Sequence, residues 1–200
     1  MLEVSGLWTK AGGPVSLNVR PGEIVALRGP SGSGKSLILR AIADLDATEG
    51  SVLLNGIPRD RIPAPEWRKK VALVPAESGW WADRVGDHFA DPDAARPLIT
   101  SLGLDADALE WEVNRLSTGE RQRLAIARAL VHDPQVWLLD EPTAALDGNA
   151  ARSTENVIRE GCGRGAAILM VTHDPAQADR FATRSLFLAD GRLSEMSAVQ

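Results

Sequence analysis

Three short stretches hold residue types that could do phosphate chemistry. GPSGSGKS, Gly29 to Ser36, follows the apolar run Ile24 to Leu27 and precedes a helical pattern from Leu37 to Ala43. Its glycines, Gly29, Gly32 and Gly34, let the backbone wrap an anion so that successive N–H groups point inward, with Pro30, Ser31 and Ser33 completing the loop. Lys35 brings positive charge to the β and γ phosphates of a nucleotide, and the Ser36 hydroxyl can ligate Mg²⁺. The helix that follows adds the positive end of its dipole. A flexible Gly/Ser turn is the alternative, which the strand before and the helix after disfavour. Leu37 stands where a second hydroxyl often follows in such loops, so one α-phosphate contact is expected to be missing.

VWLLDEP, Val136 to Pro142, is a buried strand with two carboxylates at its end. In open α/β sheets ligands sit at that carboxyl end. Asp140 can hold Mg²⁺ through water, and Glu141 can polarise a water for in-line attack on a γ-phosphate. Alone, an Asp-Glu pair after a strand is an ordinary solvated turn; beside a phosphate loop it becomes catalytic. LSTGERQR, Leu116 to Arg123, opens a further helix, because Ser117 and Glu120 have the spacing of a capping box. A capped helix start is also an anion site, so both readings can hold together.

These stretches need a scaffold that brings strand ends together. Apolar runs at Val15 to Val19, Ile24 to Leu27, Val52 to Leu54, Val71 to Val74, Val136 to Leu139, Ala167 to Val171 and Leu186 to Leu188 read as strands. Helical patterns separate several of them, notably Leu37 to Ala43 and Arg121 to Val131, which predicts an α/β domain with a largely parallel sheet. The early strands lie close together, with turn signals at Pro21 to Glu23 and Asn55-Gly56, and read as an antiparallel patch. Asp190-Gly191 marks another hairpin. Ala82 to Arg115, rich in Asp and Ala with Pro92 and Pro97, has no strand pattern and reads as a small inserted helical lobe.

Composition removes other classes of function. The formal charge of −5 offers no basic surface for nucleic acid. A single cysteine, Cys162, cannot form an internal disulfide or a cysteine-rich zinc site, and fits a reducing compartment. No stretch approaches the ~18 apolar residues of a membrane helix, and MLEVSGLWTK lacks the pattern of a secretory signal. A soluble, cytoplasmic protein is expected, with any membrane role arriving through a partner.

The combination resembles the nucleotide-binding domain of ABC transporters along almost the whole chain. The resemblance implies an α/β fold: a P-loop NTPase core with a mostly parallel sheet, a small antiparallel β subdomain and an inserted helical subdomain. Residues 1–200 form one domain on this reading. Residues 1–75 and 116–200 make the core, and 76–115 the Q-loop and helical part. Ser117-Thr118-Gly119-Glu120 looks like the family signature, usually L-S-G-G-Q, with Thr and Glu substituted. Ala145-Leu146-Asp147 resembles the D-loop, His173 the switch histidine, and Trp8 the aromatic residue that stacks on adenine. By resemblance ATP and Mg²⁺ are bound between two copies arranged head to tail. Ser117 and Gly119 then meet the γ-phosphate held by the partner's Lys35, Asp147 communicates across the interface, and His173 hydrogen-bonds the γ-phosphate. The implied function is an ATPase driving transport through a separate membrane subunit, placed on the cytoplasmic face of the inner membrane by that partner. A single-domain chain with a compact helical lobe also resembles small bacterial cassettes proposed for export of metals or other solutes.

One family position departs. The Q-loop glutamine, which reaches Mg²⁺ and the attacking water, is matched here by Ala76 in VALVPAESGWW. Glu77 is one candidate to replace it at the metal, at the cost of a second negative charge near the γ-phosphate. The alternative is a solvated Glu77, with water where the amide would be. Trp80 and Trp81 are expected at the groove that receives the membrane subunit, with at least one exposed; packing on the helical lobe is the alternative. Trp67, Trp111 and Trp137 read as packing residues, and His88 and His132 as surface residues. Two other functions compete with transport. One is a soluble ATPase acting on a ribosome or DNA-repair assembly, disfavoured by the single cassette and the lack of a basic patch. The other is a slowly hydrolysing regulatory module, which Ala76 and Leu37 keep open.

Overall fold

The computed structural model describes residues 1–196, so the last four residues of the span expected for the domain lie outside the described residues. In chain order the elements are β1 (Leu2–Thr9), β2 (Gly12–Val19), β3 (Ile24–Arg28), α1 (Lys35–Ile42), β4 (Glu49–Leu54) and β5 (Ile57–Pro58). Next come α2 (Ala64–Lys70), β6 (Val71–Val74), α3 (Pro92–Ser101), α4 (Thr118–Leu130), β7 (Val136–Asp140) and α5 (Gly148–Gly163). The chain continues with β8 (Ala167–Val171), α6 (Pro175–Phe181), β9 (Arg184–Ala189) and β10 (Arg192–Met196).

Strands β3, β7 and β8 are near-continuous apolar runs because both of their faces are covered. They sit inside a six-stranded sheet ordered β10-β9-β3-β8-β7-β6, parallel except for the antiparallel edge strand β10. Alternate residues point to opposite faces. Val136, Leu138, Leu169 and Val171 join one core with α1 and the inner side of the second sheet. Trp137, Leu139, Ile168 and Met170 join the other core, with α4, α5 and the 85–116 region.

The second sheet is antiparallel, ordered β2-β1-β4-β5. Its central strand β1 has no counterpart among the predicted strands. Leu2, Val4 and Leu7 are buried, but the alternation breaks at Gly6, which has φ +60°, and the pairing register shifts between Val4 and Leu7. A bulge of this kind hides the period-2 pattern. Asn55-Gly56 and Asp190-Gly191 do close hairpins, β4 to β5 and β9 to β10. Pro21 to Glu23 does not: it carries the chain from the antiparallel sheet into the parallel one.

The 82–115 region is less helical than expected. It holds one α-helix, α3, with short 3₁₀ turns at Val85–His88, Ala106–Glu110 and Val113–Arg115 and one bridge between Arg84 and Glu112. Pro97 inside α3 and Gly103 at φ +73° after it limit regular helix. His88, expected at the surface, is only 6% exposed. The Trp80 and Trp81 rings meet it edge-on, with centroids at 4.7 and 4.4 Å, and the Arg128 guanidinium lies over both indoles. His132 is exposed, Trp67 and Trp137 are fully buried, and Trp111 packs against the second core, all as the sequence predicts.

Helix α5 was hard to see in the sequence, because it starts at Gly148 and contains Gly161 and Gly163. Gly161 has a packing cause: a Cβ there would lie 1.9 Å from Trp137 Cη2. Trp137 in turn donates its indole N–H to Pro134 O at 2.9 Å, which fixes the ring. Gly161→Ala improves helix propensity by about 1 kcal/mol, yet the collision with a locked indole outweighs it. The variant is expected to lose about 2 kcal/mol of stability by urea denaturation; a gain in stability would remove the notch from the packing account.

Candidate active site

Three parallel strands end level with one another. Leu27 of β3 pairs with Val171 of β8, and Val171 pairs with Asp140 of β7. The loops that leave this row are Gly29 to Gly34, Glu141 to Asp147 and Thr172 to Asp174. Sheet order alone therefore gathers the phosphate loop, the acid pair and His173.

Within the phosphate loop Gly29, Gly32 and Gly34 all have positive φ, at 152°, 75° and 98°. Glycine is needed at Gly29 for space as well, since a Cβ would lie 2.2 Å from Leu188 O. Gly34 caps α1 with no side-chain hydrogen bond, so no side chain competes for the first N–H groups of that helix. Lys35 is buried, and its Nζ donates to Gly29 O at 2.9 Å and Pro30 O at 2.8 Å. Burial pushes this ammonium below its ordinary pKa, while Glu141 and then Asp140 pull it back up. Ser36 lies in the first turn of α1, and Leu37 follows it. Trp8 is 46% exposed near the end of β1. The turn just beyond it abuts the loop, because Ala11 Cβ would be 2.5 Å from a Cβ on Gly34.

Asp140 is buried at the end of β7. Glu141 adopts φ +50°, and of the five non-glycine residues with positive φ it alone is not Asp or Asn among the described residues. Such a conformation costs about 1–3 kcal/mol and persists only where neighbours over-determine it. Here Glu141 N–H donates to Val171 O at 3.0 Å, and Glu141 Oε1 lies 3.0 Å from His173 Nε2. A second link joins the same two loops: Thr172 Oγ1 donates to Gln177 Oε1 at 2.7 Å, and Gln177 Nε2 donates to Thr143 Oγ1. Nothing in the residue types Thr143, Thr172 and Gln177 marked them in the sequence.

Helix α4 begins with the predicted capping box. Ser117 Oγ accepts from Glu120 N–H at 3.2 Å, and Glu120 Oε2 accepts from Ser117 N–H at 2.8 Å and Ser117 Oγ–H at 2.7 Å. These bonds hold the Glu120 carboxyl below its ordinary pKa. Thr118 follows, and Gly119 packs on the D-loop stretch, where a Cβ would meet Ala145 O and Leu146 Cδ2 at 3.3 Å. Asp147 caps α5, accepting from Asn149 N–H and Ala150 N–H at 2.9 Å, which holds its carboxyl below the usual range. Arg123 ties the start of α4 to Leu102 and Gly103 through their carbonyls.

Glu77 lies in the loop that follows β6. Glu77 is exposed, and no hydrogen bond or ion pair holds it among the described residues. Asp140, Glu141 and Glu77 form no three-member metal-binding cluster among the described residues. The donors at hand suit Mg²⁺ on a triphosphate, since that ion takes one or two carboxylates, phosphate oxygens and waters. A buried ammonium, an uncapped helix start and three positive-φ glycines supply the phosphate side. Trp81 is 71% exposed and Trp80 half-buried. No helix among the described residues is long and apolar enough to cross a membrane.

Known proteins share this architecture. The family described as ABC transporter matches residues 13–144. An aliphatic sulfonates import ATP-binding protein from Nocardia farcinica is 43% identical over 184 residues, spanning 90% of this chain and 72% of that protein. A protein of the same name from Cupriavidus necator is 39% identical, with 90% of this chain and 61% of that protein covered. Among solved structures, an ATP binding subunit of an ABC transporter aligns with TM-score 0.87 and 26% identity, over 99% of this chain and 90% of that one. A dimeric post-hydrolysis ATP-binding cassette bound to ADP and Pi aligns with TM-score 0.82 and 27% identity over the whole of both chains. The sequence likeness to export cassettes finds no echo in these two curated relatives, which are named for import. A family match over most of the chain, joined by a relative of 43% identity, leads to one conclusion: the chain belongs to the ABC transporter family, among its ATP-binding, ATP-hydrolysing subunits.

Proposed function

We propose that this chain hydrolyses ATP at a site shared between two copies and thereby drives import through a separate membrane subunit. The observation that carries the reading is the Glu141–His173 pair, 3.0 Å apart, at the strand ends beside the buried Lys35. The relatives named for import favour that direction. The solute is selected by the membrane partner, beyond the reach of this subunit's side chains.

Each residue has one task. Trp8 stacks on the adenine. The N–H groups of Gly29, Ser31, Gly32, Ser33, Gly34, Lys35, Ser36 and Leu37 line the phosphates, and Pro30, which has no N–H, shapes the loop between them. Lys35 leaves the carbonyls of Gly29 and Pro30 for the β and γ phosphate oxygens. Ser36 and Asp140 would hold Mg²⁺, which would neutralise phosphate charge when bound. Glu141 orients the attacking water and takes its proton, and His173 hydrogen-bonds the γ-phosphate. Ser117, Thr118 and Gly119 of one copy face the phosphate loop of the other, and Asp147 couples the two sites. Glu120 already fills the Ser117 donors with its own carboxylate, so Ser117 must turn from that partner to reach a phosphate.

The proposed division has residues 1–75 and 116–200 as core and 76–115 as the Q-loop and accessory part. Trp81, exposed beside a groove lined by Arg68, Arg128 and His132, is the proposed contact for the membrane subunit. That partner holds the chain at the cytoplasmic face of the membrane, and two copies associate when ATP is bound.

Glu141→Gln keeps the shape of the site but removes the proton acceptor. ATP affinity by equilibrium dialysis is expected within about threefold of the parent, with phosphate release slowed at least about a hundredfold. Turnover at the parent rate would sink the assignment of Glu141. Glu77→Ala is expected to leave the Mg²⁺ dependence of ATP hydrolysis unchanged, because the Glu77 side chain is exposed and has no partner among the described residues; a raised Mg²⁺ requirement would return Glu77 to the metal.

A further inference from the structure

Gln177 is a buried polar residue on the inner side of α6, where Ala178 and Phe181 already supply the apolar contact. A buried amide is costly unless paired, and a leucine would fill similar space without that cost. The amide is paired at both ends. Thr172 Oγ accepts from Asp174 N–H at 3.1 Å, so its own proton is committed to Gln177 Oε1 at 2.7 Å. That fixes the orientation of the amide, and its Nε2 donates to Thr143 Oγ1. Thr172 directly precedes His173, and Thr143 lies two residues after Glu141. The loop after β7 and the loop after β8 are therefore joined twice: at the catalytic pair and, behind it, through this amide.

We infer that Gln177 is a positioning residue for hydrolysis, its amide latching the loop that carries Glu141 to the loop that carries His173. This rests on reading Glu141 and His173 as the hydrolytic pair. Glu141 sits at φ +50°, a conformation that relaxes once its surroundings loosen. The catalytic pair cannot act as its own clamp, because both side chains must turn to the nucleotide during the reaction. The latch holds the loops in register while they do so. Loss of the latch lowers the rate of the chemical step and leaves nucleotide binding at the phosphate loop intact.

The test uses the full chain with Thr143→Val, Thr143→Ser, Gln177→Leu and the Thr143→Val/Gln177→Leu double variant. Steady-state ATP hydrolysis gives kcat and KM, and amide hydrogen exchange by mass spectrometry reads the loops independently of turnover. Thr143→Val is nearly isosteric and carries the test if Gln177→Leu fails to fold. Expected are a roughly tenfold fall in kcat for Thr143→Val and Gln177→Leu, with KM within twofold. The double variant is no slower than the slower single one, and Thr143→Ser keeps at least half of the parent kcat. Exchange should quicken in residues 141–146 and 172–177 but not in β7 or β8. The latch is overturned by parent-like kcat in Thr143→Val, by an equal loss in Thr143→Ser, or by additive losses in the double variant. If the parent chain hydrolyses no ATP, the functional reading falls by itself; unchanged loop exchange in Thr143→Val then still overturns the latch.

Discussion

One row of backbone pairing governs the site: Leu27 beside Val171, and Val171 beside Asp140. Because these strands are parallel and the side-chain period is two, sliding one strand by a residue would swap its core faces. Val136 and Leu138 would exchange places with Trp137 and Leu139, and both hydrophobic cores would be lost together. The register is thus fixed by burial on two faces, and the heights of three loops follow from it. The chemistry inherits its geometry from apolar residues that never touch a nucleotide.

Charge then works within that frame. Lys35 is desolvated, yet two carboxylates close by keep its positive form favourable. The carboxylates at the starts of α4 and α5 are spoken for: Glu120 by Ser117, Asp147 by the first turn of α5. Free hydrogen-bonding capacity is left where phosphate is expected, at the uncapped start of α1. This division of labour explains why an acidic chain, with a formal charge of −5, can still hold a polyanion. Local donors decide the binding, and net charge does not.

The site was more legible in the sequence than its surroundings. Gly29 to Ser36 and Val136 to Pro142 are local motifs whose chemistry needs particular residue types at fixed spacing, so they can be read without the fold. The same holds for the Ser117–Glu120 box. What could not be read were features created by contact between distant segments. Strand β1 is masked by the bulge at Gly6, and α5 by its glycines, of which Gly161 answers to a tryptophan 24 positions earlier in the chain. His88 looked like a surface residue because its cover comes from Trp80 and Trp81, folded back over it from the loop just before, and from the Arg128 guanidinium of α4. The Thr172–Gln177–Thr143 link escaped for the same cause: none of its members is unusual until the fold sets them side by side.

The notch at Gly161 has a mechanical meaning. Helix α5 is about 24 Å long, and the Trp137 indole seated against Gly161 keys its far end to β7 like a tooth in a rack. Sliding of the helix along the strand is blocked, so the two behave as members of a braced triangle. The short chord from Glu141 to Asp147 closes that triangle. With the seat at Gly161 opposing slippage of α5, the position of Asp147 at the helix start is tied to the chord that begins at Glu141. The missing side chain of Gly161 thereby helps fix, from the opposite end of α5, the spacing of Glu141 and Asp147.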